Sequence, residues 1–556
     1  MVEEGKRKTG IMFGSRMSTI WVDAQTGQGV TSDGAAVRPV IRGQRKNPNL
    51  TDLLDTAANY GARRIMLTGR APEPTPGTRH WLLVKTPGWA NTGSHTQQPI
   101  AGRFEHEKTK FKTEVRTAAE WFGDLDLSPK QAREAWDLTQ SFIQRIDERQ
   151  HLLMTPSRTG LSLWWLSLPR DTQARTRGPK GDGGGSLRIP PAIPDDIDAD
   201  LSNVRGQHHI EHLVAGEYAA KHEDCVPMVD PAKTPRIDRF TYVDGRFMYA
   251  SLGRELGVGP GIRLNRAEAW ELLQDKDGQY ARAVFEIRFT VPENWNHIGI
   301  FGVKHENVRD GWFYPNRPGA THVTWADAAE VFVGLQFGWI IDPLQGIVFN
   351  RKDRPMDVYM KRIDDLRSAA GGDESIPRML RHAIVGALRN ILIQSIGALA
   401  SRGTTRTVVV DSAFDVPQEA QGTVNPFGSR ITYQEGGDRQ HRENYHPELA
   451  IQVWGRGRAR LLNSPSGFGN HTAGALHLPP ETLLGVNGDA IYTTSIPSWA
   501  IPETHGGGDD GRTGRLRLKG VVEGNFLTPD TIARRDRLRK ACEKAGPSLA
   551  WKPREA

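Results

Sequence analysis

The stretch Val486-Asn487-Gly488-Asp489-Ala490-Ile491-Tyr492 places one carboxylate between two apolar segments, the first of which contains Leu483 and Leu484. An Asn-Gly pair between such segments predicts a hairpin of two strands with Asn487-Gly488 at the turn. A hairpin tip is a rigid place to hold an acid at a surface. An Asp beside an Asn-Gly pair is also an ordinary turn residue, so the hairpin alone does not assign a function.

A second acid ends an apolar segment far upstream in the chain. The segment from Phe240 to Gly245 has the pattern of a buried strand that delivers Asp244 at its end, and Tyr249 follows five residues later. A strand-to-helix turn with a tyrosine in the core is the alternative interpretation. The two acids mark two strand ends, and a pair of carboxylates is what a divalent-metal site needs.

Two helices are predicted between these acids, from Met356 to Ala400, with a break at Gly371-Gly372. The apolar face of the second comprises Met379, Leu380, Ala383, Ile384, Ala387, Leu388 and Ile391. At about 100° per residue, four basic side chains fall within roughly a third of the circumference: Arg378, Arg381, His382 and Arg389. This stripe could bind an anion, and a solvated helix face would show the same pattern.

An acid at a strand end, a basic helix and an acid on a hairpin, in this order, resemble the motifs of family B DNA polymerases of the short phage and plasmid kind. The likeness spans roughly residues 200 to 520 and includes a helix that begins at His446-Pro447-Glu448-Leu449-Ala450. In this family, such a helix precedes the last catalytic motif. The resemblance implies DNA-directed synthesis of DNA by phosphoryl transfer with two divalent ions, Mg²⁺ or Mn²⁺.

The resemblance also implies the roles of individual residues. Asp244 and Asp489 would hold the metals, and Tyr249 would exclude a 2′-hydroxyl from the nucleotide site. The triphosphate would be neutralised by Arg389, with Arg381 and Arg378. DNA template and primer would contact a second set, namely Arg205, Gly206, Arg517 and Lys519.

Several positions depart from the family pattern. Asn487 stands where the family has the first Asp of its last motif, and Ile393 and Ile396 replace an Asn and a Tyr. Near the N-terminus, Asp23-Ala24-Gln25-Thr26 resembles the Asp-x-Glu-Thr motif of an RNase-H-like proofreading exonuclease. The neutral amide of Gln25 cannot supply a second negative metal ligand, so we expect no proofreading.

The predicted fold class is α/β (α+β), with the layout of a right-hand polymerase. We expect an exonuclease-like region at 1–185, a palm at 190–350 and 406–505, fingers at 351–405 and a small thumb at 506–556. Trp339-Ile340-Ile341 and Gly346-Ile347-Val348-Phe349 are predicted as a strand pair. The segment from Gly506 to Gly511 is predicted as a flexible loop because three of its residues are consecutive glycines.

Composition narrows the classes of partner. The chain has 556 residues, a net charge of +7 and two cysteines, Cys225 and Cys542. The positive charge fits a polyanion such as DNA, while two cysteines provide neither a disulfide framework nor a cysteine-based zinc site. We find no apolar run long enough to cross a bilayer, and the residues after Met1 are charged and polar. We expect a cytoplasmic protein without a membrane partner.

Two further functions remain open from the sequence. The departures at Gln25 and Asn487 also suit a polymerase-like fold that is retained as a DNA-binding or replication assembly protein, working with other replication proteins. The other of these two functions is that of a zinc protease. His208-x-x-Glu211-His212 matches the inverted zinc-protease signature, in which two histidines four residues apart on a helix bind the metal.

Overall fold

The computed structural model describes residues 11–72, 78–96, 100–123, 125–171, 186–187, 189–205, 211–213, 222–275, 278, 281–306, 311–401, 406–427, 430–435 and 444–548. Gly206 and His208 lie outside the described residues.

The strands of the described residues are, in chain order, β1 (Thr19–Asp23), β2 (Gly29–Thr31), β3 (Ala36–Val37), β4 (Arg64–Thr68), β5 (Trp89–His95), β6 (Ala101–His106), β7 (Lys112–Thr117), β8 (Arg170–Asp171), β9 (Ser186–Leu187), β10 (Glu211–Leu213), β11 (Arg236–Gly245), β12 (Leu256–Val258), β13 (Ile262–Leu264), β14 (Ala283–Thr290), β15 (Val303–Lys304), β16 (Trp312–Phe313), β17 (Thr321–Asp327), β18 (Ile340–Val348), β19 (Arg351–Asp353), β20 (Arg406–Val410), β21 (Asn425–Phe427), β22 (Arg430–Glu435), β23 (Ser464–Ser466), β24 (Gly469–Ala473), β25 (Leu483–Asn487), β26 (Ala490–Thr493) and β27 (Leu516–Leu527).

The α-helices of the same residues are α1 (Leu50–Asn59), α2 (Ala119–Phe122), α3 (Pro129–Ile143), α4 (Pro156–Ser167), α5 (Asp195–Arg205), α6 (Met248–Leu252), α7 (Arg266–Gln274), α8 (Ala328–Gln336), α9 (Asp357–Gly372), α10 (Arg378–Leu399), α11 (Pro447–Leu462) and α12 (Ile532–Ala545).

The chain divides into two compact units, and each is built from two separate stretches of sequence. The first unit comprises Met1–Leu168 and Val358–Tyr445, and the second comprises Pro169–Asp357 and His446–Ala556. The finer division into exonuclease-like region, palm, fingers and thumb stays a prediction.

The first unit is centred on a seven-stranded sheet with the order β3-β2-β1-β4-β7-β6-β5. Strand β1 is antiparallel to β2 and parallel to β4, which is in turn parallel to β7. Helix α10 packs against α2, α3 and α4. The close approach of α4 requires a glycine at Gly160, where an added Cβ would lie 2.4 Å from the carbonyl oxygen of Ile391.

The sequence predicted no apolar run long enough to cross a bilayer, but among the described residues α10 is the one helix that meets this test by length and composition. Half of its apolar window is buried, and its buried side chains include Leu380, Ile384 and Leu388. Such burial against neighbouring helices is also how the core helix of a globular unit is used. Met379, predicted on the apolar face, is instead 43% exposed, because it lies in the first turn of the helix.

The second unit contains a five-stranded sheet, β10-β25-β26-β11-β27, and a four-stranded sheet, β13-β18-β14-β17. The predicted strand pair at residues 339–349 is wrong, because these residues form the single strand β18. Pro343 lies inside β18 at a register shift against β14. A proline is tolerated there because the other neighbour, β13, pairs only with residues 346–348.

Helix α11 packs against α8, and two buried contacts fix this packing. The guanidinium of Arg458 donates to both carboxylate oxygens of Glu330, at 2.6 and 2.7 Å. An added Cβ at Gly455 would lie 2.2 Å from the Cβ of Asp327, so only glycine allows this approach.

Asp327 caps α8 by accepting a hydrogen bond from the Ala329 N–H at 2.9 Å. Its burial raises the pKa of its carboxyl to about 7.

The buried Asp327 predicts that stability depends on pH. Its pKa is higher in the folded chain, about 7, than its ordinary 3.8, so the folded state holds the proton more tightly than the unfolded state. The stability contributed by Asp327 should therefore be fully present below about pH 4 and be lost as the pH rises to 7, by up to about 1.4 kcal/mol per pH unit. Asp327→Asn keeps the cap and removes the titration. We expect this variant to melt above the parent at pH 8 and close to it at pH 5.

Asp238→Asn is the matched control, because Asp238 is an exposed aspartate of the same unit. Thermal melting at several pH values measures both variants against the parent. A melting difference for Asp327→Asn that does not change between pH 5 and 8 would contradict the assignment.

Candidate active site

Strand β11 positions the first carboxylate. Its side chains are buried from Phe240 onward, and Asp244 is 7% exposed near the strand end. Two neighbours set its position, since β11 pairs with β26 on one side and with β27 on the other. Asp244 lies opposite Ala490 in β26 and opposite Arg517 in β27. The sequence prediction of a buried strand ending at this acid is consistent with these bounds.

The hairpin formed by β25 and β26 positions the second carboxylate. Asn487 pairs with Ala490, so the turn residues are Gly488 and Asp489. The turn therefore lies one residue later than the sequence predicted. Gly488 has φ +62° and takes the first central position of the turn, where hairpin turns of one common type require a positive φ. Asp489 follows it at the hairpin tip.

The backbones of the two acids are neighbours at one end of the strands of the five-stranded sheet. The Gly245 N–H donates a hydrogen bond to the carbonyl oxygen of Asp489 at 3.0 Å. A Cβ added at Gly245 would lie 3.3 Å from the Cβ of Asp489. Because Gly245 follows Asp244 directly, the backbones of the two acids are neighbours, and the joint metal site stays a prediction.

Two cations of β27 approach the Asp244 carboxylate. Oδ2 of Asp244 lies 3.3 Å from the Lys519 ammonium and 3.9 Å from the Arg517 guanidinium. A register shift in the β11–β27 pairing causes this double approach, since Tyr242 pairs with Gly520 and Val243 with Leu518. Lys519 is the extra residue of a bulge, and bulges redirect side chains in this way. The sequence assigned both cations to DNA, whereas here they face a carboxylate.

Tyr249 lies between the hairpin and helix α11. Its hydroxyl is 4.0 Å from the position of a Cβ on Gly488, and its ring Cε1 is 3.0 Å from that of a Cβ on Gly457. The chain reaches this position through Phe247, which has φ +49° although it is not a glycine. A bulky residue in the left-handed region is strained, and such strain clusters at functional sites. Tyr249 thus adjoins the turn that carries Asp489.

The face of the sheet that carries Asp244 is aromatic, because Phe240 and Tyr242 precede Asp244 at intervals of two residues on β11. Tyr242 stacks against Tyr492 with ring centroids 5.6 Å apart, and Phe240 stacks against the same ring at 5.7 Å. Burial raises the pKa of Tyr242, and the nearby Asp244 carboxylate raises it further. Tyr242 therefore remains a neutral phenol at physiological pH, so it adds no charge beside the two acids.

The segment from Gly506 to Gly511, predicted as flexible, is instead fastened to the site. Asp509 is buried and accepts a hydrogen bond from Arg246 at 2.6 Å. At Gly507, an added Cβ would lie 2.1 Å from the carbonyl oxygen of Ile501, so the glycine allows close packing. The sequence did not predict this ion pair, because Arg246 and Asp509 are 263 residues apart.

The remaining predicted site residues lie elsewhere or cannot be assigned a contact. Arg378 and Arg389 are exposed on α10, and Arg381 donates to the Gly371 carbonyl oxygen at 3.4 Å. These three belong to the first unit. Arg205 is the last residue of α5, and its side chain lies outside the described residues, as does the whole of Gly206.

The helical zinc motif is wrong for the residues that the structure describes. Glu211 and His212 belong to strand β10, where Glu211 pairs with Asn487 and His212 with Val486. Residues of a strand cannot present ligands four positions apart on one helical face. The other histidine of the motif, His208, lies outside the described residues.

Asp23, the proposed remnant of a proofreading site, caps the turn that follows it. Its Oδ1 accepts hydrogen bonds from the N–H of Gln25 at 3.1 Å and from the N–H and hydroxyl of Thr26 at 2.8 and 3.0 Å. This is the local pattern of an aspartate that caps a turn. A strand end followed by a turn explains Asp23 without a metal.

The carboxylates of Asp244 and Asp489 suit a hard divalent ion. Mg²⁺ and Mn²⁺ take oxygen ligands, and one or two carboxylates commonly hold such an ion beside a phosphate. Asp244 is buried and already faces two positive groups. Asn487, which ends β25, contributes an amide where a third carboxylate would strengthen binding.

Comparison with known proteins gives a structural likeness. No protein-family model matches the chain, and no curated protein does. A structure of Phi29 DNA polymerase in an orthorhombic crystal form is similar with a TM-score of 0.50 and 12% sequence identity, over 91% of this chain and 85% of that chain. A second, the ternary complex of Phi29 DNA polymerase with primer-template DNA and incoming nucleotide, gives 0.49 and 12%, over 91% and 86%. The chain therefore has a mixed helix-and-sheet fold similar to that of a DNA polymerase.

Proposed function

We propose that this protein is a DNA-directed DNA polymerase of the family B type, which adds deoxynucleotides from dNTPs to a primer on a DNA template. The observation that carries the proposal is the backbone proximity of Asp244, near the end of β11, and Asp489, at the tip of the hairpin of β25 and β26. A fold similar to that of a DNA polymerase supports the same conclusion.

In phosphoryl transfer, the protein contributes mainly by positioning the reactants and stabilising charge, and little by covalent chemistry. Two Mg²⁺ or Mn²⁺ ions would supply charge neutralisation at the reacting phosphate. Asp244 and Asp489 would hold the ions. Arg389, with Arg381 and Arg378, would neutralise the triphosphate, because guanidinium groups bind phosphate in a bidentate manner.

Lys519 and Arg517 would serve two purposes in turn. Without a metal, their positive charges stabilise the buried Asp244 carboxylate. With Asp244 bound to a metal ion, both side chains would be available to phosphates of the primer strand and would not read its sequence. Arg205 and Gly206 are proposed to contact the template on the same grounds of resemblance.

A second candidate function is a catalytically weakened polymerase-like protein that binds DNA within a replication assembly. Asn487 favours it, since the residue at the end of β25 offers an amide instead of a carboxylate. Both candidates predict DNA binding. Incorporation of nucleotides separates them.

The first test of the proposal removes the metal-binding carboxylates. Asp244→Asn and Asp489→Asn preserve shape while removing charge, and each should lower magnesium-dependent primer extension by roughly 10²-fold or more. The double variant should be no worse than either single variant, because residues that act as one unit are not additive. Asp238→Asn, on the same strand β11 but exposed, should extend primers like the parent.

The activity of these variants is measured by primer extension with Mg²⁺ or Mn²⁺. Their DNA binding is measured in parallel. Extension near the parent level in Asp489→Asn would contradict the two-carboxylate site. A parent that binds primer-template DNA and does not extend it would favour the second candidate function.

The second test concerns Tyr249. A phenol packed under the sugar of the nucleotide leaves no room for a 2′-hydroxyl, so Tyr249→Ala should raise ribonucleotide incorporation by roughly 10²-fold relative to deoxynucleotides, since each tenfold step corresponds to about 1.4 kcal/mol. Tyr249→Phe keeps the ring and should behave like the parent. The ratio of the two incorporation rates is the measurement, with a melting curve as the folding control. An unchanged ratio in a folded Ala variant would remove this role.

The third test concerns proofreading. Because Asp23 caps its own turn and Gln25 is neutral, the protein should leave a mismatched 3′ end intact in magnesium. Asp23→Asn should be indistinguishable from the parent in this assay, while Asp244→Asn controls for degradation that depends on the polymerase site. Digestion of the mismatched end that disappears in Asp23→Asn would show an active exonuclease.

A further inference from the structure

The second unit contains another group of potential metal ligands besides the two carboxylates. One ligand atom each from His222, Asp224 and His322 lies within 4.8 Å of the others. The Nε2 of His322 is 2.9 Å from Oδ2 of Asp224, and the Nδ1 of His222 is 3.7 Å from the same oxygen. The three side chains are 18 to 25% exposed, so the group is partly shielded and still open to an ion from solvent.

The backbone brings these residues together from distant parts of the chain. Asp224 and His322 are 98 residues apart in sequence. The segment with His222 and Asp224 is fastened to residues 316–317, whose backbone N–H groups donate to the Asp224 carbonyl oxygen at 2.9 and 3.1 Å. Asn316 also exchanges two hydrogen bonds with the backbone of Val226. The three ligands are therefore preorganised by main-chain contacts.

Aromatic contacts fix the orientation of the imidazole rings. The ring of His222 stacks on Phe313 with centroids 4.0 Å apart and an angle of 5°. The ring of His322 meets the edge of the same phenylalanine at 5.4 Å. His305 lies 6.1 Å from His222 and closes another side of the group. Restricted rings lose less freedom on binding an ion, which favours affinity.

The donor chemistry indicates a borderline transition metal. Two imidazole nitrogens and one carboxylate oxygen suit Zn²⁺, whereas Mg²⁺ prefers oxygen ligands alone. In a tetrahedral zinc site with bonds near 2.1 Å, ligand atoms lie about 3.4 Å apart. The observed separations, 2.9 and 3.7 Å, fall on either side of this value. Cys225 adds no ligand, since its buried thiol is 3.6 Å from the Tyr314 carbonyl oxygen.

We propose that His222, Asp224 and His322 bind a zinc ion that fastens the segment at residues 222–226 to strand β17. The site is separate from the helical motif at Glu211 and His212 and from the carboxylates Asp244 and Asp489. Zinc binding through the Nδ1 of His222 replaces the hydrogen bond that this atom accepts from the Asp224 N–H at 3.1 Å. The inference does not depend on polymerase activity.

A network without metal is the competing explanation. His322 and Asp224 can form a hydrogen-bonded pair, and Arg317 lies 3.8 Å from the other carboxylate oxygen of Asp224. Such a network would stabilise the same segment and bind no ion. Direct measurement of zinc binding distinguishes the two.

The experiment uses the full chain without a histidine tag, stripped of metal with a chelator and titrated with zinc chloride in excess Mg²⁺. We expect one equivalent of zinc to bind and the melting temperature to rise. Asp224→Asn and His322→Gln should each weaken zinc binding by about 10²-fold or more. His95→Gln, which removes an exposed histidine of the first unit, should bind zinc like the parent.

Two measurements keep the test decisive where a variant folds poorly. Melting of each metal-free variant shows whether its fold is retained, and X-ray absorption at the zinc edge of the parent reports the ligand atoms. Nitrogen and oxygen ligands without sulfur support the site. No stoichiometric zinc binding by the parent, a sulfur ligand, or equal zinc affinity in the parent and in folded Asp224→Asn would overturn it.

Discussion

The register of β11 between β26 and β27 is the constraint on which the candidate active site depends. Because side chains alternate along a strand, a shift of one residue would turn Asp244 to the opposite face of the sheet. The pairing with Ala490 places Asp244 beside the hairpin tip, and the bulge at Lys519 brings a second cation to the same carboxylate. Stacked aromatic rings on the same face as Asp244 resist such a slip, since they would lose their partners.

Helix α11 links this sheet edge to the rest of the second unit. The buried pair Arg458 and Glu330 offers little net stability over an apolar contact, because removing both charges from water is costly. Breaking it by removing one partner would be severe, since a charge would remain buried alone. The two parallel hydrogen bonds require one orientation of α11 on α8. Tyr249 packs on the outer side of this helix, so its position follows from the same contact.

Local patterns were enough to predict some parts of the site. The apolar run before Asp244 and the turn residues after Val486 predicted a strand and a hairpin, since both depend on neighbours in sequence. The turn was displaced by one residue because Asn487 pairs with Ala490 across the hairpin. The group of His222, Asp224 and His322 could not be predicted from the sequence. Asp224 and His322 are 98 residues apart, so they form no motif of short, fixed spacing. The anchoring of Asp509 by Arg246 depends on tertiary contact in the same way.

The two glycines of α11 lie two positions apart and therefore point to nearly opposite sides of the helix. Gly455 gives Asp327 direct access to the backbone, and Gly457 does the same for the ring of Tyr249. At these two positions the backbone of the helix itself is the contact surface. A larger or smaller neighbour therefore cannot be accommodated by changing the size of a helix side chain. A side chain at residue 457 would require the ring of Tyr249 to shift, so residues 457 and 249 should tend to change together when related sequences diverge.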